Sequence, residues 1–118
     1  MKQIIISIIF LMMFSCIQTN TFAQSKTKTD TVTVYGNCGQ CKARIEEAAY
    51  VKGVKQAEWN KKTKVLTLVY NPEKTDLDKI TVAIAKAGHG SKNHTATDKD
   101  YKKLPHCCAY RTGTCDHD

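Results

Sequence analysis

Proline is nearly absent from this 118-residue chain, which has two, and with only six glycines a collagen-like or proline-rich linker protein is excluded. Acidic residues are short as well: 11 Asp+Glu stand against 18 Lys+Arg, a formal charge of +7. No apolar run is long enough to cross a bilayer. The longest, residues 4–14, is broken only by Ser7 and as a helix spans about 16 Å, roughly half a hydrocarbon core. Paired carboxylates on one face and a Ser-His-Asp set are both missing, which argues for a binding protein rather than an enzyme. Cysteine is not scarce. Six in so small a chain call for disulfides, metal ligands or redox groups.

The apolar run follows Lys2, the only charge in the first 23 residues, and precedes Thr21-Phe22-Ala23. Small residues at both positions read by a signal peptidase place a cleavage site after Ala23, so residues 1–23 read as a secretory signal peptide. Lipidation of Cys16 is disfavoured by the bulky Phe14 beside it. The exported chain, residues 24–118, keeps a charge of +6 and five cysteines: Cys38, Cys41, Cys107, Cys108 and Cys115. Five cannot all pair within one chain. A periplasmic location removes nucleic acid as the partner of the basic charge, which reads as a solvated surface. The mature chain has no transmembrane segment.

Residues 24–30 are polar and read as a linker. Residues 31–35 alternate with β-branched side chains and predict a strand. Cys41, Ile45, Ala48 and Ala49 then form a helical stripe, which Gly53 is expected to stop. Residues 54–60 and 65–70 predict two strands joined by a basic turn. Thr75 is the expected cap of a second helix, with Asp78 completing a capping box. Leu77, Ile80, Ile84 and Ala87 make its stripe and Gly88 ends it. This order, β-α-β-β-α, begins a split βαβ unit, with a fourth strand expected at residues 94–97. Residues 98–118 form an irregular tail rich in Cys and His, too poor in apolar side chains for a core of its own.

Cys38-Gly39-Gln40-Cys41 follows a strand and opens a helix. The spacing lets both sulfurs converge, and the helix N-terminus with Lys42 and Arg44 favours thiolate. Two thiolates are too few for a structural zinc site and suit a soft ion of low coordination number, Cu(I) above all. A local disulfide is the plain alternative, but so short a loop gains little chain entropy. In the tail, His106-Cys107-Cys108 is a second set of soft donors, unless one cysteine pairs with Cys115.

Val34-Tyr35-Gly36-Asn37-Cys38-Gly39-Gln40-Cys41, Ile45-Glu46, Gly53-Val54, Tyr70-Asn71-Pro72 and Ile84…Ala87-Gly88 together resemble the heavy-metal-associated domain. That family includes copper chaperones, metal-binding domains of copper-transporting ATPases and the periplasmic mercury-binding protein. The resemblance covers about residues 31–89. It implies an α+β, ferredoxin-like βαββαβ sandwich over residues 31–97, with Cys38 and Cys41 as metal ligands. Three features depart from the family. The loop is one residue shorter and lacks its usual methionine, His89 follows the second helix's glycine, and the Cys/His tail is added.

These readings converge on an exported protein that sequesters a soft ion, Cu(I) first and Zn(II) or Hg(II) otherwise. Alternatively, it passes the ion to a metal-transporting ATPase or efflux component. The alternative is a periplasmic thiol–disulfide oxidoreductase using the CxxC pair, for which neither Pro72 nor Pro105 begins a strand beside the motif. Cys38 and Cys41 are the primary ligands, with Cys107, Cys108, His106 and His89 as further candidates. About ten polar residues precede His106, enough to cross one face of the domain. The tail is therefore expected to fold back and bring Cys107 or Cys108 to the pair.

Overall fold

Alternating β-branched and apolar residues give three strands: β1 (Lys28–Thr33), β2 (Val54–Trp59) and β3 (Val65–Tyr70). In this computed structural model, which describes residues 2–5 and 26–112, they form one antiparallel sheet of order β1-β3-β2. All but residues 2–5 of the expected signal peptide, including Cys16, lie outside the described residues, as do Cys115 and His117. Among the described residues, no helix is long and apolar enough to cross a membrane.

The central strand carries the core. Leu66, Leu68 and Tyr70 point to one face and are buried, while Thr67 between them is exposed, as the period-2 pattern requires. Helices α1 (Gly39–Ala49) and α2 (Leu77–Lys86) bring Cys41, Ile45, Ala49, Ile80 and Ile84 into the same cluster. Each fully buried Leu or Ile there contributes roughly 1.5–3 kcal/mol. The architecture is the α+β arrangement that the resemblance implies.

Five local expectations change. Strand β1 begins at Lys28, inside the residues expected as a linker, and ends at Thr33 rather than at residue 35. Helix α1 ends at Ala49, with Tyr50 as its C-cap. Gly53, at φ +100°, instead makes the turn into β2. Asp76, not Thr75, caps α2: its carboxylate accepts the Lys79 N–H at 2.8 Å, a better cap than the neighbouring hydroxyl. The fourth strand at residues 94–97 does not form. Residues 90–92 lie beside β1 instead, through a single bridge from Val34 to Ser91. Tyr35 N–H donates to Gly90 O at 2.8 Å and Lys92 N–H to Thr33 O at 3.0 Å. Ser91 N–H then donates to His94 O at 2.7 Å. A Gly-Ser-Lys-Asn run has turn chemistry and no alternation, so the chain doubles back. Finally, the tail is not irregular throughout. Thr97 caps a short helix α3 (Asp98–Tyr101), followed by a 3-10 turn at His106–Cys108.

Gly88 joins the domain to this tail. At φ +101° it closes α2, donating to Ala85 O at 2.9 Å while His89 N–H reaches Ile84 O at 3.2 Å, the paired bonds of a Schellman end. A Cβ here would sit 2.7 Å from Asp100 O and 2.8 Å from Leu104 Cγ. Gly88→Ala should therefore lower stability by roughly 1–3 kcal/mol, measured by denaturant melts. An unchanged midpoint would show that the tail is not packed there.

Candidate metal centre

The loop from β1 into α1 rests on the domain core. Trp59 donates its indole N–H to Val34 O at 3.0 Å. A Cβ at Gly36 would lie 3.0 Å from Cys41 Cβ, 3.1 Å from Ile45 Cδ1 and 3.1 Å from Trp59 Cη2. Only a residue without a side chain lets the loop lie this close. Glu46 accepts the Trp59 N–H at 2.9 Å and pairs with Lys42. Lys42 in turn donates to Trp59 O at 3.1 Å, so α1 and the end of β2 are tied together beside the motif.

Cys38 stands at the N-cap of α1 in extended conformation, and its side chain makes no capping bond. Its thiol instead faces Cys41 in the first turn, with the two Sγ atoms 3.6 Å apart. Both residues are buried. Burial resists ionisation of Cys38. The Cys41 backbone and thiol, the Gln40 backbone and the Cys108 thiol outweigh it and bring the pKa down to about 7. Cys38 is therefore substantially thiolate at neutral pH. Its alkylation by iodoacetamide in the metal-free protein should reach half its maximal rate near pH 7, against about 8.5 for an ordinary cysteine. A midpoint above pH 8, mapped to Cys38 by mass spectrometry, would contradict this.

The tail returns to this loop. Cys108 is buried, and its Sγ lies with those of Cys38 and Cys41 in a group whose members are all within 4.8 Å of one another. Burial, followed by interactions with the Cys41 and Cys38 thiols, pushes the Cys108 thiol well above the usual range. Among the described residues none of these three thiols is in a disulfide, and neither is that of Cys107. Cys107 is directed elsewhere: its backbone O accepts from Cys38 Sγ at 3.5 Å, while its own thiol donates to Gln40 Oε1 at 2.7 Å. His106 is exposed and does not join the group.

His89 is fully buried but also stays outside the thiol group. Its Nδ1 donates to Tyr35 O at 2.9 Å with the ring neutral, because burial holds its pKa below the usual histidine value. The other nitrogen, Nε2, finds no partner among the described residues. His94 bonds Asp78 at 2.6 Å.

Sequence reasoning offers Tyr110 only as an apolar contact for docking the tail and does not single out Arg111. Tyr110 OH donates to Gly88 O at 3.0 Å and accepts from Gly90 N–H at 2.9 Å. Its ring stacks against Tyr35 and His89 and meets the edge of Tyr101. Arg111 lies 4.2 Å over Tyr101 and bonds Asp98 at 2.8 Å. The available signal was two tyrosines in an otherwise polar tail.

Residues 31–90 match the family described as "Heavy-metal-associated domain". Over 73 residues the chain is 36% identical to a copper-exporting P-type ATPase of Staphylococcus saprophyticus, covering 61% of this chain and 9% of that protein. This chain thus spans under a tenth of that curated relative. Oxidized MerP from Ralstonia metallidurans CH34 aligns with a TM-score of 0.54 at 30% identity, covering 57% of this chain and 96% of that one. The N-terminal domain of a potential copper-translocating P-type ATPase from Bacillus subtilis, solved in its Cu(I)-loaded state, aligns at 0.54 and 27% identity. It covers 62% of this chain and 94% of that one. The family match ends before Cys108.

Proposed function

The chain belongs to the heavy-metal-associated domain family, and from that premise we propose that it is an exported carrier of Cu(I). It sequesters the ion or passes it to a metal-transporting ATPase or efflux component. The observation that carries this reading is the pair of buried thiols 3.6 Å apart at the start of α1, one with a pKa near 7. Two soft sulfurs at a helix N-terminus, that of Cys38 partly ionised, suit a soft cation. Copper as the cargo is supported by the relatives that carry it in their names, with Hg(II) and Zn(II) as the competing ions. Export rests on the leader at residues 1–23. No residue is assigned a catalytic role.

The same low-pKa thiol favours a second reading, thiol–disulfide exchange through Cys38 and Cys41. Oxidation state separates the two. Anaerobically reduced protein should take up Cu(I), whereas protein carrying a Cys38–Cys41 disulfide should take up at least tenfold less, since it offers no thiolate there. Equal uptake by both forms would overturn the carrier assignment. Turnover in an insulin-reduction assay, with weak metal uptake, would establish the exchange reading in its place.

A further inference from the structure

We infer that Cys108 is a third ligand, so that the ion is held by three sulfurs in a site closed by the protein's own tail. The inference rests on the carrier reading and extends it from the two cysteines of the motif to a residue beyond the family match.

Sulfur spacing distinguishes two ligands from three. With metal–sulfur bonds of about 2.3 Å, a linear two-sulfur site sets its sulfurs about 4.6 Å apart, and a trigonal site about 4 Å apart. Cys38 and Cys41 stand at 3.6 Å, too close for a linear bridge without spreading the motif. The Cys108 sulfur lies within 4.8 Å of both. Three sulfurs in this compass enclose a centre to which each can bond with small side-chain shifts.

The approach of Cys108 is built into the fold. Leu104 packs against the core cluster, and the 3-10 turn at His106–Cys108 directs adjacent cysteines to different places. Cys107 bonds Gln40 on the outside, and Cys108 is fully buried inside. The Tyr110 hydroxyl pins the following residues to Gly88 and Gly90. The Tyr110 contacts to Gly88 and Gly90 lie outside the CxxC motif, so the placement does not rest on the motif's own geometry alone.

The functional consequence concerns release. A partner bearing two thiolates can take an ion from an open pair by successive ligand exchange. Here the entering thiolates must displace Cys108 and lift the tail. The chain then retains its ion against partners that would empty a two-cysteine carrier, which favours sequestration over rapid hand-off.

X-ray absorption on the Cu(I)-loaded full chain decides the matter, and the unaltered protein alone suffices. Three sulfur neighbours per copper are expected, falling to two in both Cys108→Ser and Cys108→Ala and staying at three in Cys107→Ser. Extraction of Cu(I) by an excess of chelator should be about tenfold or more faster from the Cys108 variants. Two sulfur neighbours in the unaltered protein, or three in the Cys108 variants, overturn the third ligand while leaving the carrier reading intact. Failure of the reduced chain to bind Cu(I) through sulfur overturns both.

Discussion

Cys41→Ser should lower Cu(I) affinity by roughly three orders of magnitude or more while the domain stays folded. Loss of a partner that merely orients a metal ligand typically costs 10–100-fold, and loss of a ligand itself costs more. A serine hydroxyl is a hard donor that stays protonated near neutral pH, so it replaces neither the charge nor the softness of a thiolate. The exchange nearly preserves volume. Because Cys41 is fully buried among Ile45, Trp59 and Cys108, the fold should lose only about 1–3 kcal/mol for the new hydroxyl. Chelator competition on the reduced variant reads the affinity, and a thermal melt reads the fold. Affinity within tenfold of the unaltered chain would remove Cys41 from the site.

Trp59→Ala should be the most damaging core substitution, costing about 3–5 kcal/mol. Trp59 is only 1% exposed, and its indole N–H satisfies Val34 O at 3.0 Å. The far edge of its ring also lies beneath Gly36. Removing it leaves a cavity under the CxxC loop and an unpaired Val34 carbonyl just beyond β1. Trp59→Phe keeps most of the apolar bulk and loses the N–H, so its cost should be smaller, about 1–3 kcal/mol. Denaturant unfolding gives both values. A Trp59→Ala cost below about 1 kcal/mol would show that the ring does not support the loop.

Local patterns were legible in the sequence, and long-range pairings were not. The alternation of Leu66, Leu68 and Tyr70 specifies the buried face of β3. The stripe of Cys41 and Ile45 specifies that of α1. Cys38 and Cys41 were readable as a pair because three residues on a helix start necessarily bring their side chains together. Element ends were harder. Thr75 and Asp76 are adjacent capping residues, and a one-residue difference lies within the margin to which sequence places a helix end. Topology alone predicts a strand at residues 94–97, whereas Ser91 and His94 close a tight turn.

The tail shows the limit most clearly. Cys107 and Cys108 are neighbours with the same chemistry, and one 3-10 turn decides which enters the thiol group. Nothing local marks Tyr110 as the anchor. Its partners Gly88 and Gly90 lie some twenty residues earlier, and Arg111 likewise acts through Asp98. His106 had the right chemistry and the wrong exposure. His89 had the right neighbourhood, but its buried ring bonds the Tyr35 carbonyl and stacks on Tyr110.

Anaerobic titration of the reduced chain with Cu(I), in competition with a chromogenic Cu(I) chelator, tests the central claim most directly. The account predicts that each chain withdraws one Cu(I) from the chelator and that the double variant Cys38→Ser/Cys41→Ser withdraws none. Chelator that keeps all its copper in the presence of the unaltered, fully reduced chain would contradict it.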